Sequence, residues 1–310
     1  MGKIIGHNNI LNRIKKRSEN ESFSHATLIV GNEGIGKSLL AKYLGNEILS
    51  KNADCESVDL VNYSPKKKSF GVDDVRMVVE EINKRPYEGD KKVVILYSCD
   101  KMTVQAQNAL LKTIEEPPKG VYIILLSDSL EIMLETVQSR CQVYKLTPLI
   151  KNEMLDYIET KYPNLPMDRK QAALAYGMGI PGKVDKFLKD ENLTDIRYIL
   201  ICLLEDILQR NKDFVVKYGQ LLNKFKLEKY DLLDILLLYI RDILILKEVN
   251  NKELIINYDK VDELEKISNK ISYNRLNNMI ECIEETRINF NSNSNYSMTV
   301  NVLLMGFLEV

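Results

Sequence analysis

Two patterns of hydrophobic positions divide the chain. In the first half, short apolar runs rich in β-branched residues alternate with stretches whose apolar positions recur every three or four residues. The first pattern predicts buried strands and the second predicts amphipathic helices. The predicted strands are 26–30, 58–63, 92–97, 121–126 and 141–145, with helices at about 37–50, 72–85 and 103–115. This alternation indicates βαβ units and a parallel sheet covered on both faces.

The pattern changes after the segment LTPL at 146–149, where the strand-like runs stop and helical periodicity continues to the last residues. Short helical segments bounded by proline and glycine come first, and long amphipathic helices follow. We therefore expect an α/β domain at 1–147, a small helical domain at 148–190 and an all-α domain at 191–310.

Composition is that of a globular protein, with 45% hydrophobic and 28% charged residues among 310. The net charge of −1 gives no overall attraction to nucleic acid. The basic runs KKR at 15–17 and KKK at 66–68 could contact DNA phosphates, although such runs more often form solvated surfaces. We find no signal-peptide core and no apolar run of about 18 residues, so we expect a cytoplasmic protein without a membrane span.

The five cysteines are widely spaced and accompany only two histidines. This spacing favours reduced thiols and gives no pattern of metal ligands.

One motif carries specific chemistry. The segment GNEGIGKS at 31–38 fits G-x-x-x-x-G-K-[ST], and it lies between a predicted strand and a predicted helix, as a phosphate-binding loop requires. Its candidate nucleotide-binding residues are Gly31, Gly34, Gly36, Lys37 and Ser38. Glycines let the backbone wrap an anion, Lys37 would reach the β- and γ-phosphates, and Ser38 would bind magnesium.

The carboxylates that usually accompany this loop are missing. An acidic pair is expected at the end of the 92–97 strand, where this chain has Tyr97 and Ser98. Asp100 comes two or three residues later, and we expect it to face elsewhere, although it could act as a shifted substitute. Because a positioned base contributes about 10²–10⁴ in rate, hydrolysis at this loop should be very slow.

Further segments carry a family resemblance. The segment DKMTVQAQNALLKTIEEPP at 100–118 and the triplet SRC at 139–141, together with IIGHNNILNRI near the start, are specific in combination. With them the chain resembles the delta-prime subunits of the bacterial DNA polymerase III clamp loader, which are AAA+ proteins. The resemblance is close to about residue 190 and weaker beyond it.

The resemblance implies a P-loop AAA+ domain, a helical lid domain and an all-α collar domain. It implies a hetero-pentamer with tau/gamma and delta subunits that uses ATP to place a sliding clamp on primed DNA. Arg140 would act in trans as the arginine finger of a neighbouring subunit, and Ser127 would be the first polar sensor. The cofactor would be ATP or ADP with Mg²⁺, bound and not hydrolysed. Nucleotidyltransferase activity would belong to the holoenzyme, since no acidic metal-binding pair for polymerase chemistry is visible in this chain.

Two departures from the family pattern matter. Many relatives have a four-cysteine zinc module near positions 50–65, where this chain has only Cys55, so we expect no zinc. Motor subunits have a sensor arginine where this chain has Gly182 beside Lys183. Two alternatives stay open: an active motor subunit of the tau/gamma type, and a small-molecule kinase that uses the same loop.

Overall fold

A five-stranded sheet forms the centre of the first half of the chain. The structure is a computed structural model and describes residues 4–50, 57–65, 69–209, 213–249, 251–292 and 294–308. The strands are β1 (Ala26–Val30), β2 (Leu60–Tyr63), β3 (Lys92–Leu96), β4 (Val121–Ser127) and β5 (Gln142–Lys145). Every pairing is parallel and the strand order is β2-β3-β4-β1-β5, which confirms the predicted parallel sheet.

Helices occupy the segments between the strands and nearly all of the second half. In the first half they are α1 (Asn8–Glu19), α2 (Lys37–Ile48), α3 (Val72–Ile82), α4 (Val104–Glu115) and α5 (Glu135–Gln138). They continue as α6 (Lys151–Lys161), α7 (Met167–Gly177), α8 (Pro181–Lys189), α9 (Glu191–Asp206), α10 (Phe214–Leu222), α11 (Lys229–Glu248), α12 (Val261–Ser268), α13 (Tyr273–Asn291) and α14 (Tyr296–Gly306). In the part of the chain that is described, no helix combines the length and apolar character needed to cross a membrane.

The sheet is buried on both faces by helices. Successive strand residues point to opposite faces and so contribute to different clusters. On β3, Val94 and Leu96 join one apolar cluster, while Val93 and Ile95 join the other. The first cluster includes side chains of α3 and α4, and the second includes side chains of α1 and α2. Continuous apolar strands such as VVIL are typical of a parallel sheet covered by helices on both faces.

The chain separates into two compact units. One comprises Met1–Thr160 and Gly179–Gly182, and the other comprises Lys161–Met178 and Lys183–Val310. The three domain boundaries expected from the sequence stay predictions.

A buried polar network ties the helical unit together. Arg197 on α9 forms two hydrogen bonds with the carboxylate of Asp259, at 2.8 and 2.9 Å, and a third with Asn257. Asn257 is bound in turn to Asp242 on α11, which is fully buried. The segment that follows α11 is thereby fixed to two helices.

Candidate nucleotide-binding site

The phosphate loop lies at the carboxyl edge of the sheet, where β1 ends between β4 and β5. The backbone amide of Gly31 donates to the carbonyl of Ser127, 3.2 Å away at the end of β4. Gly34 and Gly36 have φ angles of +81° and +110°, in the left-handed region that favours glycine. Gly36 is the N-cap of α2, and no side chain caps this helix. The amides at the start of α2 can therefore face an anion, as the sequence predicts.

Gly182, which the sequence places at the sensor-arginine position, contacts the phosphate loop directly. Its amide donates to the carbonyl of Gly34 over 2.9 Å. A Cβ atom on Gly182 would lie 2.5 Å from Cα of Gly34, so a side chain here would displace the loop. This close approach is the physical reason for glycine at both positions. The neighbouring Lys183 is exposed.

The Lys37 side chain folds back onto its own loop. Its ammonium group donates to the carbonyl oxygens of Gly31 at 2.6 Å and Asn32 at 3.1 Å. A third bond, of 2.6 Å, joins it to Oδ1 of Asp128. The Lys37 side chain is only 11% exposed, while that of Asp128 is 48% exposed. Ser38, the predicted magnesium ligand, is exposed at the start of α2.

Asp128 is a site residue that sequence reasoning missed. It immediately follows β4, whose last residue Ser127 is paired with Val30 of β1. An acidic residue directly after a strand of a parallel sheet is a candidate site residue, because the carboxyl ends of all the strands meet at one edge. The sequence does not show which strand lies beside β1, and this adjacency is what brings Asp128 to Lys37.

The expectation that Asp100 faces elsewhere is wrong. Its Oδ1 accepts a hydrogen bond from the backbone amide of Asp128, 3.3 Å away. A short 3₁₀ turn at Cys99–Lys101 follows β3 and carries Asp100 back toward the end of β4. Asp100 therefore belongs to the same edge as Lys37, although it has no direct contact with that lysine among the described residues.

Tyr97 and Ser98, which stand where carboxylates are expected, have local structural roles. The hydroxyl of Tyr97 donates to Oδ1 of Asn62, 2.9 Å away, and burial raises the pKa of Tyr97. Ser98 has a φ angle of +53° and begins the turn after β3. Neither side chain supplies a carboxylate that could act as a general base.

Ser127, the predicted polar sensor, is fully buried at the end of β4. Its hydroxyl donates to the carbonyl of Ser129, 2.7 Å away. The sensor role stays a prediction, and a contact with phosphate would require this hydroxyl to leave its partner.

His7 connects the N-terminal segment to the phosphate loop and was also missed by sequence reasoning. Burial lowers the pKa of His7, while its hydrogen bond to the Ile35 backbone and the charge of Glu153 oppose this shift. Its Nε2 atom is buried without a partner among the described residues. A cleft of about 460 Å³ beside His7 is also lined by Ile10, Lys145 and Pro148. A cavity of this size is within the range of small-molecule sites.

Arg140 lies between α5 and β5, and among the described residues it shares no hydrogen bond or ion pair with Lys37. Its Nε pairs with the carboxylate of Glu115 at the end of α4, and its Nη1 donates to the carbonyl of Thr136 over 2.9 Å. Nη2 makes no hydrogen bond within the described part of the chain, and the side chain is 39% exposed. The next residue, Cys141, is a packing residue, because burial raises its pKa to about 12 and keeps the thiol protonated.

Some predictions concern residues that the structure does not describe. Cys55 and the KKK run at 66–68 lie outside the described residues, so the expectations about zinc and DNA contact there stay predictions. The described residues contain no group of three or more His, Cys, Asp or Glu side chains that could hold a metal ion. In the KKR run, Arg17 donates to Oε1 of Gln142 over 2.8 Å, while Lys15 and Lys16 are exposed.

Comparisons with known proteins agree with this arrangement. A family model described as DNA polymerase III, delta subunit, matches residues 6–150, and one described as DNA polymerase III, delta subunit, C terminal, matches residues 215–308. The Bacillus subtilis (strain 168) DNA polymerase III subunit delta' is 26% identical over 295 residues, which are 89% of this chain and 88% of that protein. The Haemophilus influenzae subunit delta' is 32% identical over 174 residues, or 51% of this chain and 53% of that one.

Among solved structures, a DNA polymerase III gamma subunit-related protein of Thermotoga maritima has a TM-score of 0.50 and 20% identity. The match covers 96% of this chain and 98% of that chain, and at this identity it concerns the fold alone. The fold class is the expected one, an α/β domain with a parallel sheet followed by helices. The two family models and the delta' relatives show that the chain belongs to the DNA polymerase III delta-prime subunit family.

Proposed function

We propose that this clamp-loader subunit binds an adenine nucleotide at its phosphate loop without hydrolysing it, and supplies Arg140 to the nucleotide site of a neighbouring subunit. The observation that carries the proposal is a fully formed phosphate loop beside a strand end that has Tyr97 and Ser98 in place of carboxylates. Such a site retains the groups that bind phosphate but lacks the base that would activate water.

The loop and its surroundings support nucleotide binding. The start of α2 is uncapped by any side chain, which leaves its N-terminal dipole available to phosphate. The 460 Å³ cleft beside His7 offers space for the nucleoside part. Mg²⁺ would bind the nucleotide phosphates with Ser38 as the protein ligand.

The geometry of Arg140 supports a role outside its own nucleotide site. Glu115 is bound to Nε and the Thr136 carbonyl to Nη1, while Nη2 makes no hydrogen bond in the described part of the chain. A guanidinium group held in this way is pre-oriented toward an anion on another molecule. In the clamp loader that anion would be the phosphate of ATP bound to a tau/gamma neighbour.

The proposed assembly is a hetero-pentamer with tau/gamma and delta subunits, which loads a sliding clamp onto primer-template DNA. The delta' and gamma names of the relatives support membership of such a complex. Contact with the clamp and with DNA would be made through the whole complex.

Arg140→Ala tests the trans role in a reconstituted clamp loader. We expect turnover at the neighbouring site to fall by a factor on the order of 10³, as for other arginine fingers, so that the complex loses the share of ATPase which that site contributes. Arg76→Ala is the matched control, because Arg76 is a 73% exposed arginine of the same α/β unit that pairs only with its helix neighbour Asp73 among the described residues. Complex ATPase that is equal in Arg140→Ala and wild type would refute the assignment.

A second candidate, an active motor of the tau/gamma type, is favoured by one observation. Asp100 and Asp128 place two carboxylates at the sheet edge that holds Lys37. ATP hydrolysis by the purified chain separates the two functions. Turnover of about one per second or faster, in the usual range of enzymes, would establish the motor, and much slower turnover supports the switched-off subunit.

A further inference from the structure

The ammonium group of Lys37 has no donor left for a ligand. A lysine ammonium has three N–H donors, and here Gly31, Asn32 and Asp128 provide three acceptors within 3.1 Å. Two of these acceptors are neutral carbonyls of the loop itself. The third is an anion, and it comes from 91 residues away in the sequence.

Asp128 is held in this position by its own turn. Its backbone amide donates to Asp100, and the preceding Ser127 is paired with Val30 in the sheet. The hydroxyl of Ser127 donates to the carbonyl of Ser129, which closes the turn from the other side. The carboxylate of Asp128 is therefore presented to Lys37 by fixed backbone on both sides.

A carboxylate at this point is a substitute for phosphate. Lys37 is the one cationic side chain of the loop, and a carboxylate oxygen bound to it occupies the donor that a phosphate oxygen would use. Because Asp128 belongs to the same chain, it competes at a high local concentration that does not change with dilution.

We propose that Asp128 sets the nucleotide affinity of the phosphate loop by competing with nucleotide phosphate for Lys37. The inference rests on the proposed nucleotide binding at this loop and says what limits the affinity of that binding. Binding of a magnesium-complexed nucleoside di- or triphosphate requires the Asp128 carboxylate to leave Lys37. The affinity of the wild-type site is reduced by the stability of that ion pair.

Calorimetric titration of the full-length protein with MgATP and with MgADP tests the proposal. Asp128→Asn keeps the size of the side chain and removes its charge, and we expect it to tighten binding by about tenfold or more, the range for loss of a competing charge-assisted hydrogen bond. Adding Lys37→Ala to this variant should abolish the gain. Because Asp128 is about half exposed, the variant should fold, and an unchanged melting curve verifies this.

Glu131→Gln is the charge-matched control. It removes the same charge from the turn that follows β4, and the exposed Glu131 side chain makes no hydrogen bond or ion pair with Lys37 among the described residues. We expect its affinity to stay within about twofold of wild type, because water and salt screen a charge without direct contact. An equal gain in both variants would attribute the effect to general charge and overturn the proposal.

Two further results would overturn it in different ways. If wild type binds nucleotide and Asp128→Asn binds no more tightly, Asp128 is not a competitor, and the proposed binding function survives. If neither protein binds MgATP or MgADP, the loop is closed for another reason, and nucleotide binding by this chain fails together with the inference. The trans role of Arg140 is measured separately in the assembled complex and is unaffected by either result.

Discussion

At the scale of single residues, His7 is a half-buried histidine that is hydrogen-bonded to the Ile35 backbone of the phosphate loop. Burial lowers its pKa from 6.5, so the neutral imidazole is the form that the fold favours. A lowered folded-state pKa contributes stability above the unfolded value, and this stability is lost as pH falls through the folded value. We therefore expect the free energy of unfolding to decrease as pH falls below about 6.5, before the carboxylates titrate.

NMR titration checks this directly, since the chain has only two histidines. The ring resonance that disappears in His7→Asn should titrate with a midpoint below 6.5 in the folded wild type. The same variant should flatten the pH dependence of stability between about pH 6.5 and 5. A His7 midpoint at or above 6.5 would contradict the burial argument.

The candidate site was predictable only where it is continuous in sequence. Gly31 to Ser38 could be identified because the motif is contiguous and its strand–helix setting is visible in the hydrophobic pattern. Asp128 could not, and neither could the contact of Gly182 with Gly34, since these depend on strand order and on the close approach of two backbones. The predicted direction of the Asp100 side chain was also wrong, because a short turn after β3 carries it toward Asp128.

At the scale of elements, Asp242 joins helix α11 to the segment after it. Its carboxylate accepts from the backbone amides of Ile256 and Asn257, at 3.1 and 2.8 Å, and from the Asn257 side chain. Asp242→Ala would leave these buried donors unpaired, and each costs about 1–3 kcal/mol. We expect the free energy of unfolding in urea to fall by at least about 3 kcal/mol.

Asp234→Asn is the control on the same helix. Asp234 is 55% exposed and pairs with Arg287, so its loss should change stability by less than about 1 kcal/mol. Equal, small effects of the two substitutions would mean that the buried network is not what fixes this segment.

The elements themselves were largely predictable because burial dictates their composition. All five strands appear where apolar runs predict them, with ends that differ by at most two residues. The second strand begins at Leu60 and not at 58, because Asp59 turns inward and accepts from the amides of Tyr87 and Glu88. Such end corrections arise from long-range hydrogen bonds, which no local pattern contains.

At the scale of the whole molecule, helix α14 is apolar on its inner face and also on part of its exposed face. Its inner face is buried through Val300, Leu303 and Leu304. On the outer face, Met298, Val302 and Met305 are 70%, 56% and 52% exposed. They are spaced by four and three residues and so form one stripe. A helix that is apolar on both faces is typical of a buried position, which the monomer does not provide.

If the helical C-terminal region joins neighbouring subunits, as the collar domain implied by the family resemblance would, this stripe is a place where partners would bury surface. Val302→Glu and Met305→Glu should each weaken assembly with tau/gamma and delta subunits by about tenfold or more, the cost of placing a charge in an apolar interface centre. The melting temperature of the isolated chain should not change, because both side chains are already in water. Analytical ultracentrifugation of the reconstituted mixture measures the effect.

The control is Val249→Glu, which places the same charge on a different exposed valine of the helical unit, 60% exposed, and should leave assembly intact. Full assembly of the Val302 and Met305 variants would show that the collar contact uses a different face, while the nucleotide and Arg140 proposals would stand on their own measurements.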